Sequence, residues 1–289
     1  MTLDAFLETA WTDHGDHPQD VADRLGNSLH LVTTTDQIAP YARLVTHVYG
    51  EHLGQWHRGI ELLRALRRLP ALEGSTSVAS ALDRNIATLR FAGGDEAVLA
   101  TLDRDDRVAV LAAAASAFAG QLGFKRAIAV YAQALELAVP DLARDSPANR
   151  ALAVGGNNLA AALEEKTDRD NAETEGMLVA AQGGLKYWKR AGTWLEEERA
   201  EYRLTRSLLK AGRPTAAIES AKRCIDVCAH NDAPTIERFY GYVVLALAQR
   251  ASGDADAFAA AREAALALYE HVPVDEKKWC ESELAELGK

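Results

Sequence analysis

The chain reads as an all-α protein, an α-α superhelix (solenoid) of about seven helical hairpins followed by a C-terminal capping helix. Four stretches say nearly the same thing: Gly54–Leu66, Gly123–Leu135, Gly212–Ile225 and Gly253–Leu266 each place a glycine shortly before small or apolar residues at helical spacing. Glycine can end a helix in the left-handed conformation, and a small residue lets the next helix pack closely. Composition agrees, with 48% hydrophobic residues, only 8 prolines and an alanine-rich character across 289 residues. The longest strand-like stretch, Leu29–Thr35, is short and isolated.

In order along the chain, the first predicted pair is Leu3–Asp13 with Pro18–Leu31, broken at His14-Gly15-Asp16-His17. Pro18 suits a first helical turn. Next come Gln37–Leu53 with Trp56–Leu69, then Ser77–Ala92 with the short Asp95–Leu102. Pro70 and Gly74 end one helix there, and Ser75, Thr76 or Ser77 can cap the next. Asp105–Leu122 pairs with Lys125–Val139, Pro147–Glu165 with Ala172–Ala191, Trp194–Ala211 with Pro214–Ala229, and Pro234–Ala251 with Asp254–His271. Val274–Leu287 closes the array, where Trp279, Leu284 and Leu287 can cover the apolar face of the last hairpin. We expect a single domain over residues 1–289: an N-terminal hairpin (1–36), repeat hairpins (37–271) and the cap (272–289).

The pattern Ala127-x-x-x-Tyr131-x-x-Ala134-Leu135-x-Leu137, after Phe118 and before Pro140, resembles the tetratricopeptide repeat (TPR). Gly54-x-Trp56-x-x-Gly59-Ile60 and Gly212-x-x-x-x-Ala217-Ile218 are similar to its turn and second-helix start. Asn157-Asn158-Leu159-Ala160, echoed by Asn85-Ile86-Ala87, is similar to the first helix of repeats of the kinesin light chain type. The likeness covers roughly Gln37–His271. Turn-to-turn steps of roughly 30 to 45 residues depart from the usual period of about 34, and Gly176 and Arg262 stand where an aromatic is common. The resemblance implies a concave groove lined by first helices, and a role in binding peptides or protein segments.

The sharpest local signal is a basic stripe. Arg199, Arg203, Arg206 and Lys210 recur at a spacing that lines one side of a helix, with Tyr202 beside them. By the TPR reading, groove positions counted back from the hairpin turns fall on Arg206, Arg203, Tyr202 and Arg199 before Gly212. The same count reaches Arg84 and Asn85 before Gly94, Asn157 and Asn158 before Thr167, and Tyr240 before Gly253. Asparagine amides can clasp an extended backbone, and arginine can fork onto a carboxylate or phosphate. These residues are the expected groove for a protein or peptide partner, with an acidic or carboxylate-bearing segment as its ligand. The competing reading makes the stripe inter-helix salt bridging, with Glu196, Glu219 or Asp226 as partners.

Net charge of −10 opposes nucleic acid or an anionic membrane as the main partner. The acidic start MTLDAFLETAWTDHGD lacks the basic region of a secretion signal, and Val108–Ala119 is too short to span a bilayer. A cytoplasmic protein is expected. Three cysteines fit a reducing compartment, with Cys224 and Cys228 read as packed core thiols. Asp103, Asp105 and Asp106 are read as a helix start. His14 and His17 sit in a turn without an evident further ligand, and His47, His52 and His57 step by five, which scatters them around an α-helix. No metal, cofactor or catalytic residue is therefore expected, and no P-loop, dinucleotide fingerprint, HExxH or GxSxG motif is present. The leading reading is a non-enzymatic protein-binding scaffold. A peptide-sensing regulatory repeat protein and an all-α enzyme with buried carboxylates are the alternatives.

Overall fold

The computed structural model describes residues 1–72 and 74–288, and among them every regular element is helical. Contacts divide the chain into two compact units, Met1–Gly155 and Gly156–Lys289.

The N-terminal unit begins with α1 (Leu3–Asp13), capped by Thr2, and α2 (Pro18–Ser28), with Pro18 in its first turn. Helix α3 (Ile38–Thr46) runs into a π-helix, His47–His52, before α4 (Trp56–Arg67). Ser75 caps α5 (Thr76–Ala92), and Asp103 caps α6 (Arg104–Gly120) by accepting the Asp106 N–H at 2.8 Å. The aspartate cluster is thus a helix start, as read from the sequence. Helix α7 (Phe124–Leu137) follows, and the first half of α8 (Pro147–Glu165) completes the unit. Leu25, Tyr41, Leu44, Leu63 and Leu66 are fully buried in its core. Two phenols are kept there because each finds a carbonyl: Tyr41 donates to Leu25 O at 2.5 Å and Tyr49 to Ala22 O at 2.8 Å. Burial pushes the Tyr41 phenol up to about 12.

The C-terminal unit holds the rest of α8, then α9 (Asn171–Ala191), α10 (Trp194–Lys210), α11 (Pro214–His230), α12 (Thr235–Ser252) and α13 (Ala255–Glu270). A 3-10 turn, Lys277–Cys280, leads into α14 (Glu281–Leu287). Reciprocal capping boxes start α9 (Asp170 with Glu173) and α10 (Thr193 with Glu196). Phe239, Val243, Ala246 and Ala265 fill the core between α12 and α13. Cys224 and Cys228 are buried thiols, as expected.

Several expectations need correction. Gln37–Leu53 is not one α-helix, because from His47 the chain widens: Leu53 N–H returns to Val48 O at 3.1 Å, five residues back. Glycine allows this turn to pack closely on α6. A Cβ at Gly120 would overlap the Glu51 carbonyl oxygen, which instead accepts Gln121 Nε2 at 2.9 Å. Consequently the five-residue step no longer separates His47 from His52; their rings are 4.8 Å apart. Asp95–Leu102 is a 3-10 helix, Glu96–Thr101, and the predicted Val274–Leu287 helix is α-helical only in its last part. Leu29–Leu31 is also a 3-10 turn, so the strand-like stretch forms no strand.

The left-handed glycine stop is found at Gly54, Gly94, Gly212 and Gly253 but not at Gly123. After α12, Gly253 takes φ +83°, and the Asp254 N–H closes on Gln249 O at 3.2 Å. At the α6–α7 turn the same slot belongs to Leu122, at φ +60°, while Gly123 is ordinary at φ −83°. An L-residue pays about 1–2 kcal/mol for that conformation. Leu122 is exposed and makes little use of its side chain. Leu122→Gly is expected to stabilise the protein by about 0.5–1 kcal/mol after the entropy of the extra glycine is counted, and Gly253→Ala to destabilise it by about 1 kcal/mol. Denaturant midpoints of the two variants, moving in opposite directions, check this.

Candidate binding site on the basic stripe of α10

Helix α10 places its arginines and its buried acids on adjoining faces. Glu198 and Glu201 are buried, as are Glu164 on α8 and Glu237 on α12. A buried carboxylate needs a charged or hydrogen-bonding partner. Arg203 reaches Glu164 at 2.5 Å, and Ser207 Oγ donates to the other Glu164 oxygen at 2.6 Å. Burial still raises the Glu164 carboxyl, with Arg203 and Ser207 opposing that rise. Arg199 pairs with Glu237 at 2.5 Å. Glu201 accepts from Ser220 Oγ at 2.7 Å and lies 3.1 Å from Arg223 and 3.2 Å from Lys189. Cys224 Sγ donates to Glu198 at 3.0 Å.

The rest of the stripe meets α14. Arg206 grips Glu286 with both terminal nitrogens, at 2.8 and 2.9 Å, and Tyr202 OH donates to Glu283 at 3.0 Å. A forked pair of this kind is stronger and more directional than a single contact. Tyr240 packs edge-on against Tyr202, with centroids 5.8 Å apart, and donates to Trp279 O at 2.8 Å. Arg250 and Arg262 hold the carbonyls of Glu286 and Leu287 at 3.0 and 3.1 Å, satisfying the exposed end of the short helix.

Asn157, Arg199, Tyr202, Arg203 and Tyr240, all expected groove residues, line one recess of about 580 Å³. Glu276, Glu283 and Trp279 close its other side. Asn158 is half-buried on α8, and Lys210 is exposed at the end of α10. Arg84 and Asn85 belong to the N-terminal unit, where each has a local partner. Arg84 pairs with Asp106 at 2.8 Å, and Asn85 accepts from Thr46 Oγ1 at 2.8 Å and donates to Ala81 O at 2.8 Å. Sequence reasoning finds the stripe and misses its acids. Of the partners expected for it, Glu196 closes the α10 capping box, whereas Glu164, Glu237, Glu283 and Glu286 take the stripe. The three-residue step from Glu283 to Glu286 was the available signal, since it gives one helical face two acids.

Ordered hairpins, left-handed stops and close packing of small residues define a TPR-like helical repeat, the all-α superhelical class expected from the sequence. A similar solved structure is that of nearly identical TPR-like repeats from a Podosopora anserina protein assigned as a kinesin light chain. It is 15% identical, with a TM-score of 0.51, over 83% of this chain and 96% of that one. A single-substitution variant of those repeats matches at 16% identity and a TM-score of 0.49, over 88% and 96% of the two chains. No family model matches the chain, and no curated protein matches it. At this identity the likeness establishes the fold.

Glu198 carries a pH signature. Burial first, and the neighbouring Glu237 charge, push its carboxyl up to about 8, against the Cys224 hydrogen bond. The folded protein therefore keeps a proton that the unfolded chain releases above its ordinary value of 4.5. Stability is expected to fall as pH rises between these values, by up to about 1.4 kcal/mol per pH unit. Glu198→Gln stays neutral throughout, so its melting temperature should exceed that of the parent at pH 8 and converge with it near pH 4.5. Parallel melting curves across that range would refute the assignment.

Proposed function

We propose that the chain is a non-enzymatic interaction scaffold that receives an acidic or carboxylate-bearing protein segment on the α10 stripe. The observation that carries this reading is the chain's own α14, whose Glu283 and Glu286 occupy Tyr202 and Arg206. The surface thus already holds one acidic helical segment, and a partner with the same chemistry would exchange with it. Each charge-assisted contact contributes about 1.5–3 kcal/mol, so two of them are enough to rank competing segments. The buried acids also favour a scaffold over an enzyme, because Glu164, Glu198, Glu201 and Glu237 each have an internal partner. A net charge of −10 favours protein over nucleic acid as the partner, and no described helix is long and apolar enough to cross a membrane. The peptide-sensing alternative shares this geometry, with release of α14 as its signal.

A labelled peptide of sequence ESELAEL, matching Glu281–Leu287, tests the exchange. Glu283→Gln with Glu286→Gln should vacate the stripe and tighten peptide binding at least about tenfold over the parent chain. Arg206→Glu should abolish it while leaving the helical circular dichroism unchanged. Equal binding by all three proteins, read by fluorescence anisotropy, would refute the proposal.

A further inference from the structure

The π-helix gathers a group of side chains for which the scaffold reading has no use. His14, at the end of α1, meets His47 and His52, and one ligand nitrogen from each lies within 4.8 Å of the other two. His47 Nε2 and His52 Nε2 are 3.1 Å apart. A tetrahedral zinc ion bound at about 2.0–2.1 Å sets its ligand nitrogens about 3.3 Å apart, so this pair already has nearly the required spacing. Closing the third corner takes a small swing of His14, which is half-buried at a helix end.

Two of the outward-facing nitrogens are engaged in the way metal-binding imidazoles require. His47 Nδ1 faces the Glu51 carboxylate at 3.0 Å, and His14 Nδ1 faces the Trp11 carbonyl at 2.6 Å. A proton held on each Nδ1 leaves Nε2 with its lone pair directed to the centre. Trp11 shields one side, its ring 5.1 Å from His14 and 5.2 Å from His47. The backbone bears on the same point. Residues five apart face different ways on an α-helix, and a π-turn, a feature frequent at functional sites, is what unites them here.

We infer that His14, His47 and His52 form a binding site for a divalent first-row transition-metal ion of the zinc class, three imidazole nitrogens leaving one position open. Imidazole sets of this kind suit zinc, copper, nickel and iron, and a three-histidine set leaves zinc free to take water or a donor from a partner. A bound ion would also pin the end of α1 to the π-turn.

The full chain, stripped with a chelator, is titrated with Co²⁺ as the probe and then with Zn²⁺ as competitor. One equivalent of Co²⁺ should give the visible bands of a tetrahedral site and quench tryptophan fluorescence, and Trp11→Phe should remove most of that quenching. His14→Ala and His52→Ala should each weaken binding by about a hundredfold, and Glu51→Gln by about tenfold through loss of its hold on His47. His57→Ala, on an exposed histidine paired with Glu61, should change nothing. His14→Ala is the deciding variant if His47→Ala or His52→Ala disturbs the π-turn, because His14 lies outside it. Binding unaffected by His14→Ala, or weakened equally by His57→Ala, would overturn the proposal and leave the cluster as a His47–His52 hydrogen bond with edge-to-face rings.

Discussion

Removing a carboxylate from water costs several kcal/mol unless charge and hydrogen bonds replace the lost hydration. The C-terminal unit meets that requirement for three acids around one helix and holds a fourth, Glu198, with its carboxyl raised to about 8. Glu198 and Glu201 point inward from α10, and Glu164 and Glu237 approach from α8 and α12. Their partners dictate much of what surrounds them: Arg203 and Ser207 for Glu164, Arg199 for Glu237, Ser220 and Arg223 for Glu201, Cys224 for Glu198. Breaking such an arrangement is costly, whereas its net contribution to stability is small. Its larger effect is on register, since shifting α10 by one turn would strand several buried charges at once.

Arg206 and Tyr202 stand at the edge of this network and make a different kind of contact. Their acids come from α14, a helix of 7 residues joined to α13 through a turn. A helix this short has little stability by itself. It stays folded through side chains that hold its acids and its terminal carbonyls. Its sequence is therefore free to resemble that of a bound segment.

Much of the architecture was legible because local rules act over a few residues. The Ser75 cap of α5, Pro18 in the first turn of α2 and the glycine stops at Gly212 and Gly253 all follow from short-range geometry. Leu122 shows where such reading slips: the helix ended one residue earlier than the glycine implied, and a leucine accepted the left-handed conformation. The α10 stripe was legible as a face for the same reason. Its partners were not, because Glu237, Glu164, Glu286 and Glu283 lie 38, 39, 80 and 81 residues away, and helical periodicity says nothing about which helix arrives alongside. The histidines at positions 47 and 52 failed differently. Their faces follow from a winding that the backbone does not adopt.

The π-turn sets how the histidine cluster can be inherited. Such a turn is a helix carrying one residue more than the α-helical path needs. Wound as an α-helix with their five-residue spacing kept, His47 and His52 would turn apart, whereas deleting a residue between them would leave a four-residue step that an α-helix also places on one face. The His47–His52 pair therefore depends on winding and spacing together, and a relative could share the repeat architecture in full without it.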